Sequence, residues 1–377
     1  MVASDWGGSA TRVSPAMNRS LITMMVAASA VLWIPSISGQ SAPTVVTPLS
    51  STSTTVADQQ WESLKNLGRP VTLALSNGAI GKNPSPAELA GALVAQANQL
   101  KGFYSQYPTH AAAKEAKRLE GLALSRAAIN GDASQDARRR VLLEEIRKDA
   151  SVPEVKRYEA VAWDRQVTVS RQAPATHAAK MTAQEDISRA LVAEFPGVAL
   201  GYESLLAVAH DSDPARARAV LADLRGMQMQ LPPRVASESL ILAERLTLIG
   251  RPLAAILGPA GAPALATAIK HRPVVLYAWE PGNKYSISTA RRMAKMAPSA
   301  LLIGVCLSTD PIAARTAAQR EKIPGEQYLD PRGAASALAI TLQFNRAPLV
   351  YLVDRAGQIA DVNGLVDTGE KLARIIR

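Results

Sequence analysis

One thiol, four imidazoles and an Asn-x-x-Ser spacing are the main chemical resources of this chain. Cys306 is the only cysteine, so no intrachain disulfide, cysteine-rich zinc site or acylated lipoprotein cysteine can form. His110, His177, His210 and His271 are far apart, without the paired spacing of a metal site, so no metal ligand is expected. Ser286 has no histidine close in sequence and no nucleophile-elbow pattern, which removes the hydrolase reading. Gly325-Glu326-Gln327 and the glycines at Gly258 and Gly261 lack the spacing of a phosphate loop. No cofactor is implied. Asn283 and Ser286 suit one task well, which is capping the free amides at the start of a helix.

The elements that must hold these residues read as alternating strands and helices. Pro273 to Trp279 is a short apolar run suited to a buried strand. Ile287 to Ala297 is helical until Pro298, and Ala300 to Leu307 is a second buried strand containing Cys306. Gly333 to Phe344 reads as a helix and Leu349 to Asp354 as a strand. A turn leads to its hairpin partner, Gln358 to Val362, and Asp367 to Ile376 closes as a helix. Strand, helix, strand, helix, strand, strand, helix is an α/β order.

Upstream the pattern differs. Asn18 and Arg19 precede the apolar run Leu21 to Ile34, ended by Pro35 with small residues after it, which reads as an export signal over residues 1–40. Met17 is a possible start. The run is short for a transmembrane helix; cleavage between Ser38 and Ala42 is expected, with an uncleaved anchor as the alternative. Residues 41–57 are rich in Ser, Thr and Pro and read as a linker. Residues 58–249 read as α-helical hairpins. Ser85-Pro86-Ala87-Glu88 has the makings of an N-terminal cap. Tyr107-Pro108 and Phe195-Pro196-Gly197 each break one helix before an Ala/Leu-rich successor, weakly like tetratricopeptide hairpins. The breaks lie 88 residues apart without a regular 34-residue period. Such an array serves as an interaction surface or as a plain spacer.

Hydrophobic residues at 47% supply cores, and aromatics at 4% with abundant Ala and Leu favour helices. The net charge is +10. From Gly250 onward 16 lysines and arginines face nine acids, but only Arg291, Arg292 and Lys295 cluster and no aromatics are interleaved to stack on bases. A nucleic-acid partner is therefore not expected.

Residues 250–377 resemble a thioredoxin-like domain, in particular the exported proteins of the TlpA/ResA kind. Four stretches carry the likeness, in the family's order. Leu248-Ile249-Gly250-Arg251-Pro252-Leu253 is similar to the lead-in to the first strand. His271-Arg272-Pro273-Val274-Val275-Leu276 is similar to the start of the active-site strand. Ala347-Pro348-Leu349-Val350-Tyr351-Leu352-Val353 is similar to the cis-proline strand, and Asp354-Arg355-Ala356-Gly357-Gln358-Ile359 to the hairpin after it. The fold implied is an α-helical array followed by an α/β thioredoxin-like domain.

The redox-active members carry Trp-Cys-x-x-Cys after that strand. Aligning Trp279 places the two cysteine positions near Asn283 and Ser286, and no shift of register supplies a thiol. Disulfide exchange needs a thiolate to attack and a second sulfur to resolve the mixed disulfide, so this chemistry is lost. The resemblance leaves a peptide-binding groove lined by Trp279, Asn283, Ser286, Ala347 and Pro348, cis at Ala347-Pro348. The expectation is an exported, non-enzymatic binding or scaffold protein of the periplasm or cell envelope, with a protein or peptide partner and no membrane span after signal cleavage. Two alternatives stand beside it: an oxidoreductase relative acting through Cys306 or a partner's thiols, and a purely structural envelope protein. Cys306 lies in a strand expected to be covered on both faces, where desolvation disfavours the thiolate.

Overall fold

Cap residues and proline breaks set the helix ends in the N-terminal half. The computed structural model describes residues 55–67, 84–172, 174, 176–257, 272–365 and 368–376. The expected export signal, most of the linker, His271, Gly258 and Gly261 lie outside the described residues. Helix α1 (Val56–Leu67) begins within the expected linker. Helix α2 (Pro86–Gln106) opens on the anticipated capping box: Ser85 accepts from Glu88 N, and the Glu88 side chain accepts from Ser85 N at 2.6 Å. Tyr107-Pro108 ends it.

The array continues with α3 (Ala113–Ile129), α4 (Asp136–Lys148), α5 (Glu154–Gln172) and α6 (His177–Glu194). Phe195-Pro196 then breaks the chain before α7 (Ala199–Asp211), as the sequence predicts. Helix α8 (Pro214–Gly226) follows its Asp213 cap, and α9 (Pro233–Leu246) completes the series. Successive helices pack on one another throughout. Gly121 and Gly201 stand where an added Cβ would come within 3.0 Å of Leu143 and Val192, so both mark close helix approach. Buried arginines cross-link the layers. Arg139 binds Asp136 at 3.2 Å and Asp164 at 2.6 Å, and Arg118 joins Glu115 and Glu159, each at 2.7 Å. Much of the basic charge of this half is thus spent internally.

Where the sequence suggested a strand lead-in at Leu248 to Leu253, the chain makes a bend and a short helix, α10 (Leu253–Leu257). Gly250 takes φ +83°. Pro252 forms only an isolated bridge to Gln358. Two hydrogen bonds to Ile359, from Gly250 N to its carbonyl and from its amide to Arg251 O, hold the bend against the terminal hairpin.

The sheet contains β1 (Val274–Trp279), β2 (Leu301–Cys306), β3 (Glu326–Tyr328), β4 (Leu349–Val353) and β5 (Ile359–Asp361), in spatial order β3-β2-β1-β4-β5. Strands β1, β2 and β3 run parallel, while β4 and β5 are antiparallel to their neighbours. Helix α11 (Lys284–Met296) leaves β1 and covers one face, joined by α12 (Pro311–Arg320) and α14 (Thr368–Ile376). Helix α13 (Ala337–Thr341) lies on the other face. This is a thioredoxin-like arrangement, with a cis peptide bond at Ala347-Pro348 entering β4.

The strands divide by parity between two cores. Val274, Leu276 and Ala278 face one; Val275, Tyr277 and Trp279 face the other. The first core is continuous with the helical array, since Tyr202, Leu205, Val220, Leu224, Leu242 and Leu246 join it. The boundary expected at residues 249/250 therefore does not separate two hydrophobic cores.

Two readings need correction. The single helix expected from Gly333 to Phe344 is a 3₁₀ turn, Gly333–Ala335, followed by the short α13. Gly333 sits at φ +54° against Leu307, where a Cβ would meet the Leu307 carbonyl at 2.5 Å. Extended Ser336 then restarts the helix by accepting from Ala339 N. Helix α12 and strand β3 were not anticipated. The Asp310-Pro311 pair at the start of α12, a cap followed by proline at N1, is the signal that marks it.

Candidate functional site

The site forms where β1 gives way to α11 and the loop before β4 crosses beside it. Gly282, at φ +80°, turns the chain. Asn283 caps α11, its Oδ1 accepting from Ser286 N at 3.0 Å. The amide end of Asn283 donates to the Ala347 carbonyl at 3.3 Å. One side chain therefore joins the helix start to the residue before the cis-proline, which brings Asn283, Ser286, Ala347 and Pro348 together.

Ser286 is fully buried. Its hydroxyl donates to the Asn283 carbonyl at 2.9 Å and accepts from Glu280 N at 3.3 Å. Asn283 and Ser286 thus both carry side chains committed to the helix cap and the turn. Neither has the acidity or the sulfur that disulfide exchange requires.

Trp279 stands elsewhere. It is fully buried among Ile287, Ala290 and Cys306 on the α11 face of the sheet. The expectation that it lines a groove is corrected: as the last residue of β1 it points inward by strand parity and forms part of the core behind the site. Its indole Nε1 has no hydrogen-bond partner among the described residues. Tyr285, 63% exposed, is the aromatic that faces solvent at this end of α11. It was legible as the outward position after an N-cap but was not singled out. Ala347 and Pro348 are half-buried.

Cys306 is the register partner of Trp279 across β1 and β2 and is 1% exposed. Burial pushes its thiol above the ordinary range, and Glu280 adds to the rise. A hydrogen bond from the Ser308 backbone opposes it only in part. A buried thiol held protonated is a poor nucleophile. Among the described residues, no group of three His, Cys, Asp or Glu side chains is placed to hold a metal ion.

No protein-family model matches the chain, and no curated relative does. Solved structures similar to parts of it include the thioredoxin domain of a thiol-disulfide oxidoreductase from Bacteroides vulgatus, at 16% identity over 29% of this chain and 84% of that one, TM-score 0.26. Another is the C-terminal domain of a putative thiol-disulfide oxidoreductase from Bacteroides thetaiotaomicron, at 21% identity over 32% of this chain and 82% of that one, TM-score 0.26. A third is a secreted Mycobacterium tuberculosis disulfide oxidoreductase homologous to Escherichia coli DsbE, at 16% identity over 35% of this chain and 98% of that one, TM-score 0.25.

Proposed function

We propose that this chain is an exported protein- or peptide-binding scaffold of the cell envelope, built on a thioredoxin-like fold that has lost its redox chemistry. The observation that carries the reading is the fate of the Asn-x-x-Ser turn. Asn283 and Ser286 occupy the positions of the missing thiols, both spend their side chains on internal hydrogen bonds, and the only thiol is buried. What remains is a half-exposed backbone segment, Ala347-Pro348, tied through Asn283 to the start of α11, the helix whose first turn carries the solvent-facing Tyr285.

An extended partner chain would pair with the Ala347 backbone, with main-chain hydrogen bonds giving affinity. The bond from Asn283 to the Ala347 carbonyl is long enough, at 3.3 Å, to yield to a better-placed donor. It also satisfies the hydrogen-bonding capacity of that carbonyl. Export is supported by the apolar run Leu21 to Ile34 behind Asn18 and Arg19. No helix among the described residues is long and apolar enough to cross a membrane.

A photo-crosslinking residue in place of Tyr285 tests the binding claim, with one in place of exposed Val141 as the control. The reading expects an envelope polypeptide captured from position 285 alone and lost when Ala347→Trp fills the groove. Capture that is equal from both positions, or unaffected by Ala347→Trp, would favour the purely structural alternative.

A further inference from the structure

An opening of about 510 Å³ runs along the far edge of the sheet, away from the cis-proline site. One wall is a single face of α12 and its end: Arg315, Ala318, Gln319 and Lys322, spaced three, four and seven residues from the first. Ile323 and Leu329 supply apolar floor, and Gln327 of β3 forms the opposite wall. That wall is fixed, because the Gln327 amide donates to Tyr277 Oη at 2.9 Å and to the carbonyls of Pro324 and Gly325 at 3.0 and 3.1 Å.

Strand β3 ends the sheet, pairing with β2 on one side only. Among the described residues no strand covers its outer side, and Glu326 to Tyr328 are exposed or half-exposed. Such an edge offers unpaired backbone groups to an added strand. The two charged side chains of the lining, Arg315 and Lys322, are both basic, and the one acid of the edge strand, exposed Glu326, is not among the lining residues. Arg315 and Lys322 are exposed and form no ion pair with a described residue, whereas their neighbours Arg291 and Arg320 both turn to Glu321. No carboxylate lines the cleft.

We propose that the cleft between α12 and β3 docks an extended acidic segment of a partner protein, which adds to the outer edge of β3 and presents carboxylates to Arg315 and Lys322. The edge strand supplies main-chain pairing, the floor takes the apolar side chains between the acids, and the two cations set the preference. This site is separate from the cis-proline groove and does not depend on it.

The test uses the full chain and a short fluorescent peptide alternating Glu and Val, read by anisotropy. Saturable binding is expected, weakened about tenfold by combining Arg315→Glu with Lys322→Asn. Asn is chosen because position 322 sits at φ +49°, which Asn tolerates. Arg315→Gln alone, a milder change on the exposed helix face, is expected to weaken binding in the same direction. The same peptide N-methylated at alternate amides, and its Lys/Val counterpart, are expected not to bind. Absent binding, binding indifferent to these substitutions, or equal binding of the N-methylated peptide would each overturn the proposal.

Discussion

At the scale of single residues, Cys306, Asn283 and Ser286 decide whether this fold can exchange disulfides. Cys306 is walled in by Trp279 and α11. It is expected to resist alkylation in the native protein and to react only once the chain unfolds; labelling at the rate of an unstructured thiol would contradict its placement. Asn283 has a double role, so Asn283→Ala removes both the cap and the link to Ala347. A loss of about 1 kcal/mol is expected, read as a lower urea midpoint at unchanged slope. Ser286 and Asn283 were legible as cap residues because Asn-x-x-Ser after a Gly turn is a local signal. Trp279 was misplaced for a reason of parity. The family likeness marked it as near the site, but an inward-facing residue at the end of a fully buried strand belongs to the core.

At the scale of elements, β1, β2, β4, β5 and α11 were readable because apolar runs bounded by Pro and Gly define short buried strands. Helix α13 was overextended because an Ala/Leu-rich stretch looks helical locally, while Gly333 and Ser336 answer to a carbonyl and a cap that only the fold brings near. Strand β3 has three residues and no periodicity to read. If the turn from β1 into α11 keeps the geometry of a dithiol site, Asn283→Cys combined with Ser286→Cys is expected to form an internal disulfide on oxidation. Mass spectrometry after trapping of free thiols would show the loss of two hydrogen atoms, the two protons and two electrons having passed to the oxidant. Persistence of three free thiols, counting Cys306, under oxidising conditions would mean that these are not the matching positions.

At the scale of the whole molecule, the helices do more than precede the sheet. Helices α7, α8 and α9 supply apolar cover for one of its faces, and Arg245 of α9 donates to the Gln343 carbonyl at 3.1 Å. Neither half of the sequence shows this alone, since an amphipathic helix does not name its partner. A fragment of residues 250–377 is expected to lack a cooperative unfolding transition, while residues 55–377 unfold in one step; a stable, soluble fragment would contradict the shared core. The same seam holds two oppositely perturbed groups. Burial, with Arg346 and Arg245 nearby, lowers His210 to about 3, and burial raises Asp211 to about 6 against His177, Lys371 and Arg346. The contribution of Asp211 is fully present below its ordinary 3.8 and is lost as pH rises through about 6. That of His210 is present above 6.5 and is lost as pH falls toward 3. Asp211→Asn is thus expected to raise the thermal midpoint at pH 7.5, with the gain gone by about pH 4; a gain that is the same at both pH values would contradict the assignment. Loss of thiol–disulfide chemistry is tested by insulin reduction in the presence of dithiothreitol, with Cys306→Ser in parallel. Neither protein is expected to exceed the rate of dithiothreitol alone. Catalysis that disappears in Cys306→Ser would make the buried thiol an active centre and contradict the account.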